Sequence, residues 1–564
     1  IDITVVIGGE AGQGIQTVGE MLARAVHRTG LYVQAINDFE SRIRGGHSFM
    51  QLRISDAPVN CPDHRVHLLV ALSAETYDLH KDEMAEDGVI VIDQEEECRA
   101  ENAYCVPVTR LAKDAGGKIM ANTVAAGACM GLLGASADAL KNVLTERFAE
   151  KSASVLEQNN AAAEKGMAAV EHIDFRWRFQ WPNESAKGLL ISGSRALALG
   201  ALAADCRFAA FYPMSPATGI LVHLHQLAEQ YPVVVEQAEG EIAAANMVIG
   251  AAFAGVRAMT ATSGGGFSLM TEALGMAGIT ETPMVIVNAQ RPGPATGLPT
   301  RTGQGDLMFV ISASQDEFPR FVFAPASVTG AFETMIRAFD LTEKYQVPVI
   351  VLVDQYFNDS LFIAEKPLVV PETIAPYTVT DADMADPSAY KRFAVTESGV
   401  SPRALPCNGD ALVMVTANEH ADDGHLSEKQ SDRNNQMAKR KAKLPQMAAE
   451  IFAPGAYHGD SPILLVGWGS TDAVICEAVE RLRAEGHDVG CLHFTDLWPF
   501  PAEAAEKALS GVGRFYMVEQ NGSAQLGRLI RQQTGLKFSD AIVKIDGRPL
   551  RADDIVQQFK RLEE

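Results

Sequence analysis

Residues 211–306 decide the fold of this chain. The stretch begins FYPMSPATG, continues through VVVEQAEGEIAAANMVIGAAFAG and ATSGGGFSLMTEALGMAG, and ends VNAQRPGPATGLPTRTGQGD. Apolar runs typical of strands alternate with helical segments rich in Ala and Gly, and a polar cluster follows each run. These strands are predicted at residues 208–211, 233–236, 257–262 and 284–288. Because ligands of open parallel sheets bind at the carboxyl ends of the strands, the stretch predicts a parallel sheet with a ligand crevice.

Four side chains in this stretch are candidates for binding or catalysis. Glu241 opens an otherwise apolar helix, so burial would strip its carboxylate of water and suit it to exchange a proton with a ring nitrogen. Arg291 follows the strand MVIVN, where a guanidinium is a natural partner for a substrate carboxylate, and Arg301 offers a second cation. Ser215, in YPMSP, places a hydroxyl on a stiff loop. The alternatives are a helix-dipole charge for Glu241 and loop residues without a ligand for the others.

Size and charge narrow the class of protein. The chain has 564 residues, enough for three or four domains, and a formal net charge of −23. That charge argues against nucleic acid as a partner, because phosphate backbones are bound by basic surfaces. No apolar run approaches the roughly 18–20 residues of a membrane span. The first residues enter a predicted strand at once, so we expect no signal peptide.

The cysteines indicate neither a metal site nor a disulfide framework. No two of them form a CxxC pair, so the spacing favours neither zinc nor an iron–sulfur cluster held by this chain alone. Scattered cysteines in a large protein are typical of buried small side chains in the reducing cytoplasm, which is the predicted location. The eight cysteines are at positions 61, 98, 105, 129, 206, 407, 476 and 491.

Residues 1–180 are predicted to form a first α/β domain. The turn GGEAGQG, residues 8–14, leads into a helix, and glycines such as Gly12 and Gly14 let the backbone approach an anion at the helix N-terminus. Its GxxGxG spacing differs from the dinucleotide fingerprint GxGxxG, although Asp38 is expected just after the second strand, where a ribose-binding acid would lie. A nicotinamide or flavin site and a tight turn without a ligand both remain open. The later strands predict a doubly wound sheet.

Basic side chains surround a second glycine turn, in the sequence SRIRGGHS. Arg42, Arg44 and His47 converge there and suit a phosphate or another acidic ligand. A solvated loop with ordinary charges is the alternative interpretation.

Two more α/β domains and a connecting segment are predicted further along the chain. Residues 187–370 form the central domain, and residues 457–564 return to strand–helix alternation. Between them, residues 371–456 are predicted to be a linker or cover. The helical part of this segment, residues 425–450, is locally basic, and we interpret it as a solvated helix face, with a partner-binding arm as the alternative.

Several standard catalytic motifs are missing. The sequence has no P-loop, no GxSxG nucleophile elbow and no HExxH zinc motif. The GDG motif with which thiamine enzymes bind diphosphate and magnesium is also absent.

The motifs that are present resemble those of the 2-oxoacid:ferredoxin oxidoreductases, thiamine-dependent enzymes that convert 2-oxoacids and coenzyme A to acyl-CoA. YPMSPATG is similar to the family's YPITP loop, with Met214 in place of Ile and Ser215 in place of Thr, which keeps the hydroxyl. AEGEIAAANMVIGA, ATSGGGFSLM and QRPGPATGLPTRTGQGD match the pyrimidine-binding domain of the alpha subunit. GGEAGQG and SRIRGGHS resemble the gamma subunit, here fused ahead of alpha. The last domain resembles the transketolase C-terminal domain.

This resemblance implies roles for individual residues. Glu241 matches the glutamate that bonds the aminopyrimidine ring of thiamine diphosphate and promotes its imino tautomer. Arg291 matches the arginine that holds the substrate carboxylate, and Ser215 and Thr296 match hydroxyl positions beside it.

The resemblance also implies cofactors and partners. The gamma-type domain would cover coenzyme A, with phosphate contacts at Gly12, Gly14 and Arg44. A separate beta subunit would carry the diphosphate–Mg²⁺ site and a [4Fe-4S] cluster, which accounts for the missing GDG motif and cluster cysteines. The implied assembly is an (alpha-beta)₂ heterotetramer that exchanges electrons with ferredoxin.

The implied reaction is the reversible oxidative decarboxylation of a 2-oxoacid to acyl-CoA and CO₂, with reduction of ferredoxin. The fused gamma–alpha arrangement and GLPTRTGQGD look most like enzymes of the 2-oxoglutarate type, in which Arg301, Arg44 or His47 would meet the second carboxylate. Pyruvate or a broad range of 2-oxoacids is the alternative. A nicotinamide- or flavin-dependent oxidoreductase and a non-catalytic CoA-binding subunit are the alternatives from other classes.

Overall fold

Strands and helices alternate along most of the chain. The computed structural model describes residues 1–10, 13–41, 46–96, 103–182 and 184–564. Its strands are β1 (Asp2–Glu10), β2 (Tyr32–Phe39), β3 (His47–Ser55), β4 (Val66–Ala71), β5 (Met84–Asp93), β6 (Ala103–Val106), β7 (Leu189–Ser192), β8 (Phe208–Phe211), β9 (Val234–Gln237), β10 (Ala258–Thr262), β11 (Met284–Gln290), β12 (Phe321–Phe323), β13 (Pro348–Asp354), β14 (Leu361–Ala364), β15 (Thr378–Val379), β16 (Arg403–Ala404), β17 (Gly455–Tyr457), β18 (Ile463–Trp468), β19 (Val489–Phe494), β20 (Asp496–Trp498), β21 (Arg514–Glu519) and β22 (Asp540–Val543). Its helices are α1 (Ile15–Arg28), α2 (Ala74–His80), α3 (Val108–Ala115), α4 (Ala121–Leu132), α5 (Ala137–Arg147), α6 (Ala153–Ala169), α7 (Gly193–Ala203), α8 (Thr218–Leu227), α9 (Glu241–Phe253), α10 (Gly264–Thr280), α11 (Leu307–Ser312), α12 (Val328–Tyr345), α13 (Gln355–Asp359), α14 (Gln430–Ala442), α15 (Leu444–Ala449), α16 (Asp472–Ala484), α17 (Ala502–Leu509), α18 (Gln525–Thr534) and α19 (Ala552–Glu563). None of these helices is long and apolar enough to cross a membrane.

The chain folds into two compact units. The first combines Ile1–Ser192 with two short later segments, Asp359–Pro367 and Leu550–Asp554. The second contains the remaining residues, including both the central and the C-terminal sheets. The predicted α/β class is confirmed, since both units contain mixed or parallel sheets with helices packed against them. The division into segments 1–180, 187–370, 371–456 and 457–564 stays a prediction.

The described part of the first unit contains a sheet with the strand order β6-β5-β4-β1-β3-β2-β14-β7. The prediction of a doubly wound sheet is wrong here, because β3 lies between β1 and β2 and runs antiparallel to both. A parallel crossover needs roughly a dozen residues, whereas only residues 40–46 join β2 to β3. Asp38 lies inside β2, opposite Phe49, and not after the strand as expected.

The second unit contains the sheet predicted from the opening stretch. Its strand order among the described residues is β20-β12-β13-β11-β10-β8-β9, and all pairs are parallel except β12 with β20. β11 and β13 are buried along their whole length, as is typical of central parallel strands covered on both faces. The four strands predicted between residues 208 and 288 are all present, within two residues of their predicted ends.

A second sheet of this unit is formed by the C-terminal part of the chain, in the order β17-β19-β18-β21-β22. Its strands are parallel apart from β17. One hydrophobic cluster contains residues from both sheets of the unit, including Ile286 and Ile350 of the seven-stranded sheet and Val466 and Met517 of the five-stranded sheet. The two sheets therefore share a core, so their edges are fixed relative to each other.

The basic segment at residues 425–450 is not the solvated helix face that we predicted. It forms α14 and α15. Lys439, on α14, and Lys443, directly after α14, are both buried. Their Nζ atoms donate to the two carboxylate oxygens of Glu281, over 2.5 and 2.6 Å. The prediction failed because the compensating charge comes from a residue 158 positions earlier, which helical periodicity cannot reveal.

Candidate active site

The polar clusters of the opening stretch all lie at the carboxyl edge of the seven-stranded sheet. Residues 212–217 follow β8, residues 238–240 follow β9, Ser263 follows β10, and residues 291–306 follow β11. Because these four strands are neighbours and parallel, the ends of the strands bring the clusters together. The expected ligand edge is therefore formed by these loops.

Glu241 is buried at the start of α9. It is the first residue of the helix, after the N-cap Gly240, and only 5% of it is exposed. Its Oε1 atom has no hydrogen-bond partner among the described residues. A buried carboxylate oxygen without a donor is costly, so such an atom indicates a donor from outside this chain. A ring nitrogen or amino group of a cofactor fits that requirement.

One glycine of the run SGGG leaves room for this carboxylate. A methyl group at Gly266 would lie 2.7 Å from Glu241 Oε1 and would collide with Thr262 Oγ1. At the preceding Gly265, the nearest atom is the carbonyl oxygen of Ala295, at an ordinary 3.7 Å. Only Gly266 is therefore required to be small for the sake of Glu241.

Arg291 and Ser215 meet at the same edge. Arg291 Nη1 donates to the backbone carbonyl oxygen of Ser215 over 2.7 Å, so the serine contributes its carbonyl to this contact. Burial lowers the pKa of the Arg291 guanidinium, and the negative charge of Asp306 opposes that shift. An arginine held in this way, at the end of a buried strand, has the geometry to orient a carboxylate.

Asp306 was not assigned a role from the sequence, although it closes the motif GQGD. Its Oδ2 accepts from Asn288 Nδ2 over 3.0 Å, and its backbone N–H donates to Gln290 Oε1 over 3.1 Å. Burial raises the pKa of the Asp306 carboxyl, while the bond from Asn288 and the charge of Arg291 act in the opposite direction. Asp306 could have been recognised from the sequence as an acid that ends a loop rich in Gly and Pro, where the loop follows a strand that ends in polar residues.

The other two predicted substrate residues, Thr296 and Arg301, lie at different places on the loop at residues 291–306. Thr296 is exposed on the loop, next to Ala295, whose carbonyl faces the glycine run. Arg301 lies further along, with its Cβ only 2.9 Å from the position of a methyl group at Gly547. The structure therefore brings Glu241, Ser215 and Arg291 to one edge and places Arg301 against the C-terminal part of the chain.

The candidate anion turn of the first unit is only partly described. Gly14 is the N-cap of α1 with φ of 73°, and a side chain there would collide with Asn122. Glycine is therefore required by both conformation and space. Gly12 and Arg44, the other predicted phosphate contacts, lie outside the described residues, as does Arg42.

His47, the other basic residue predicted at the second glycine turn, contacts another imidazole. It begins β3 and is buried, with its Nε2 atom 3.1 Å from Nε2 of His80. The Nδ1 atom of His80 is in turn 2.7 Å from Glu83 Oε2. The imidazole that the sequence offered as a ligand-binding cation is thus engaged with another protein side chain.

Three family models match successive parts of the chain. Residues 4–169 match a model described as pyruvate ferredoxin/flavodoxin oxidoreductase. Residues 199–440 match pyruvate flavodoxin/ferredoxin oxidoreductase, thiamine diphosphate-binding. Residues 462–555 match pyruvate:ferredoxin oxidoreductase core domain II.

Individual relatives agree with these models. The chain is 32% identical to the 2-oxoacid:ferredoxin oxidoreductase subunit alpha of Saccharolobus solfataricus, over 99% of this chain and 97% of the relative. It is 32% identical to the 2-oxoglutarate synthase subunit KorA of Methanothermobacter thermautotrophicus, over 66% of this chain and 98% of that protein. A solved structure of 2-oxoglutarate:ferredoxin oxidoreductase from Magnetococcus marinus superposes with a TM-score of 0.92 at 31% identity, over 100% of both chains. The chain therefore belongs to the thiamine diphosphate-dependent 2-oxoacid:ferredoxin oxidoreductases, as a subunit of the alpha type.

Proposed function

We propose that this chain forms the pyrimidine-facing half of a thiamine diphosphate site in an enzyme that converts 2-oxoglutarate and coenzyme A to succinyl-CoA and CO₂ and passes the two released electrons to ferredoxin. The observation that carries the proposal is the buried Glu241 carboxylate, whose Oε1 has no donor among the described residues. The space kept by Gly266 beside the carboxylate supports the same assignment.

Glu241 would hold a proton shared with the cofactor's pyrimidine ring. When bound, thiamine diphosphate supplies the electron sink for decarboxylation, and the protein supplies orientation and electrostatics. A carboxylate that is buried next to apolar helix residues exchanges a proton with a ring nitrogen more effectively than one in water, because water does not compete for it. Gly266 leaves the space that this carboxylate occupies.

Arg291 would orient the carboxylate of the 2-oxoacid. Its bond to the Ser215 carbonyl fixes the direction of the guanidinium, whose remaining donors have the fork geometry that suits a carboxylate. Ser215, whose carbonyl Arg291 contacts, and Thr296, on the same loop as Arg291, would offer their hydroxyls to the same substrate. The negative charge of Asp306 favours the charged form of the Arg291 guanidinium and so opposes the effect of burial on its pKa.

Two observations support the preference for 2-oxoglutarate: the substrate named for a similar enzyme, and the position of Arg301 on the substrate loop. The Magnetococcus marinus enzyme is described with 2-oxoglutarate, coenzyme A and succinyl-CoA bound. Arg301, on the same loop as Arg291, would meet the second carboxylate of this substrate. Pyruvate is the second candidate, because the descriptions of all three matching family models name pyruvate oxidoreductases or their domains.

The rest of the enzyme would come from partners. A beta subunit would hold the diphosphate with Mg²⁺ and a [4Fe-4S] cluster, since the chain lacks the GDG motif and has no CxxC pair. We further propose an (alpha-beta)₂ heterotetramer in the cytoplasm that reduces ferredoxin. Coenzyme A would be covered by the first unit, with Gly12, Gly14 and Arg44 near its phosphates.

One face of α9 supports a partner at this edge. The solvent-exposed side of this helix carries Ile242 and Phe253 along one line and Met247 about 140° around the axis from Ile242, with exposed fractions of 57%, 37% and 41%. Exposed apolar patches of this kind mark protein interaction sites. Because Glu241 begins the same helix, a subunit that covers this face would also close the site around Glu241.

Replacing Glu241 by Gln tests the proposal. In the complex with the beta subunit, Glu241→Gln should lower turnover by about 100-fold or more, because Gln cannot exchange the ring proton. The control is Glu229→Gln, which changes an exposed glutamate between α8 and β9, at the opposite end of β9 from the site, and should keep near wild-type turnover. Assembly with the beta subunit, measured by size-exclusion chromatography, should be unchanged in both. Full activity of Glu241→Gln would exclude the proposed role.

The substrate is tested by measuring turnover of 2-oxoglutarate and pyruvate side by side in the same complex. We expect a higher kcat/KM for 2-oxoglutarate. A higher value for pyruvate would support the second candidate instead.

A further inference from the structure

Gln304 joins the substrate loop to the C-terminal sheet with both its backbone and its side chain. Its backbone N–H donates to the carbonyl of Gln520 over 2.8 Å, and Gln520 N–H donates back to Gln304 Oε1 over 3.1 Å. Gln304 Nε2 donates to the carbonyl of Trp468 over 2.9 Å. Asn521 Nδ2 donates to the Gln304 carbonyl over 3.1 Å. The residue is completely buried, so these bonds are protected from water.

The partners of Gln304 all lie at one edge of the five-stranded sheet. Trp468 is the last residue of β18, and Gln520 and Asn521 directly follow β21. β18 and β21 are parallel neighbours, so this is the carboxyl edge of that sheet. The loop that carries Arg291 therefore leaves the carboxyl edge of one sheet and is attached to the carboxyl edge of another.

Glu519 holds the attachment point in place. It is the last residue of β21, is fully buried, and accepts from Trp468 Nε1 over 3.0 Å and from Asn521 Nδ2 over 2.7 Å. It also accepts from the backbone N–H groups of Leu526 and Gly527, in the first turn of α18. One buried carboxylate thus holds the side chains of both Trp468 and Asn521, the residues whose carbonyl and amide group bond Gln304. Their freedom to shift is small.

The other end of the loop reaches the substrate residues. Gly303 lies against Pro292, which directly follows Arg291, with 3.5 Å between Pro292 and a methyl position at Gly303. Gln525 Nε2 donates to the carbonyl of Gly305 over 2.7 Å, and Gln525 Oε1 accepts from Met308 N–H. A displacement of Gln304 would therefore be passed to the stem of the loop on which Arg291 lies.

We propose that Gln304 is a positioning residue for the 2-oxoacid, and that the C-terminal sheet takes part in substrate binding through it. The inference rests on the proposed role of Arg291 in holding the substrate carboxylate. Glu519 and Asn521 fix Gln304, Gln304 fixes the loop, and the loop fixes Arg291. Arg291 would bind the substrate carboxylate in the ground state and in the transition state alike, so a displaced Arg291 weakens substrate binding and acts on KM more than on kcat.

The test is Gln304→Ala in the complex with the beta subunit. We expect the KM for the 2-oxoacid to rise about 10- to 100-fold, with a smaller change in kcat and no change in affinity for thiamine diphosphate. The matched control is Gln346→Ala. Gln346 is also buried and bonds both Ser401 and Arg392, but neither of these lies in the 291–306 loop or at its attachment. Both variants lose buried hydrogen bonds, so a merely structural role would lower the melting temperature of both and leave the KM unchanged.

A milder variant guards against loss of folding. Gln525→Ala removes, from a partly exposed position, one bond to the loop at Gly305 and one to Met308 in α11, and it should raise the KM in the same direction by a smaller factor. An unchanged KM in Gln304→Ala and Gln525→Ala, or an equal rise in Gln346→Ala, would overturn the inference. If those KM values are unchanged while Glu241→Gln is inactive, only the positioning role fails. Full activity of Glu241→Gln would instead remove the proposed function.

Discussion

Gly266 shows how much of the site depends on the absence of a single methyl group. The Glu241 carboxylate and Thr262 Oγ1 occupy the space that a side chain at this position would need. Glycine in a helix is usually unfavourable relative to alanine, by roughly 0.5–1 kcal/mol. Its presence in the first turn of α10 is explained by what it leaves room for, which is the side chain proposed to contact the cofactor.

We expect Gly266→Ala to lower turnover at least about 10-fold and to weaken thiamine diphosphate binding, because the new methyl group displaces the Glu241 carboxylate. The neighbouring Gly265→Ala is the control, since its methyl group meets only a carbonyl oxygen at 3.7 Å. Steady-state kinetics and cofactor titration of the two complexes provide the measurement. Equal activity of the two variants would show that the position of Glu241 tolerates this displacement.

The residues that could be predicted from the sequence are those whose chemistry is local. Glu241 stands out as an acid at the start of an apolar helix, and Arg291 as a cation at a strand end. Gln304 could not be recognised in the same way. Its partner Gln520 is 216 residues away in the sequence, and a glutamine between two glycines has the composition of an ordinary loop.

The helices α10 and α14 are joined by a buried group of charges. Glu281, which caps α10, accepts from Lys439 and Lys443, and all three side chains are almost completely buried. Arg392 donates to the backbone carbonyl of Glu281 over 2.7 Å. Taking these charges out of water is costly, so the group is stable only while its members compensate one another. The basic helix thus acts as a structural clamp on the unit that carries the site.

Glu281→Gln should lower the free energy of unfolding by about 3–5 kcal/mol, because it leaves two buried lysines without their counter-charge. Asp316→Asn, which breaks an ion pair with Arg433 at the surface, should cost a small fraction of that amount. Denaturant titration of the purified chain measures both values. If both variants lost a similar amount of unfolding free energy, the buried ion pairs of Glu281 would contribute no more to stability than an ion pair at the surface.

The same group predicts a dependence on pH. Burial alone would raise the pKa of Glu281, but the charges of Lys443, Lys439 and Arg392 outweigh it and hold the pKa below its ordinary value of 4.5. A carboxyl with a lowered pKa contributes stability that is fully present above the unfolded pKa and is lost as the pH falls through the folded one. The stability gap between the wild type and Glu281→Gln should therefore shrink as the pH falls below about 4.5. A gap that stays constant in acid would contradict this assignment.

Element types were predictable from periodicity, whereas pairing was not. The four strands at the site lie where the alternation of apolar runs and helical segments predicted them. The strand that follows the SRIRGGHS turn was also present, but it inserts between β1 and β2 and makes the first sheet mixed. Strand order depends on the length of the connection and on contacts between distant residues, and neither is encoded in the period of a single strand.

For the whole molecule, the open face of α9 is the feature that points to a larger assembly. Its exposed apolar residues lie on the helix that begins with Glu241. A beta subunit that covers this face would exclude water from the site and complete the cofactor pocket in the same step. Assembly and activity would then be coupled by one surface.

Met247→Lys should weaken binding of the beta subunit by about 10-fold or more, because a charge in a desolvated interface is poorly tolerated. Val369→Lys is the control, since Val369 is a more exposed apolar residue, 74% accessible, and lies outside α9. Affinity measured by titration of the beta subunit distinguishes the variants. Unchanged affinity in Met247→Lys would place the partner elsewhere.

The strand β14 sets a limit on how this protein is made. Residues 361–364 lie between β2 and β7 in the sheet of the first unit, although more than half of the chain has been synthesised before they appear. While the chain is still emerging from the ribosome, β2 and β7 lack the strand that pairs with both, and each presents an open edge that invites association with other chains. Completion of the N-terminal unit must therefore wait for translation of the central sheet, and a gene fragment that ends at Ser192 would encode a unit with a gap in its sheet.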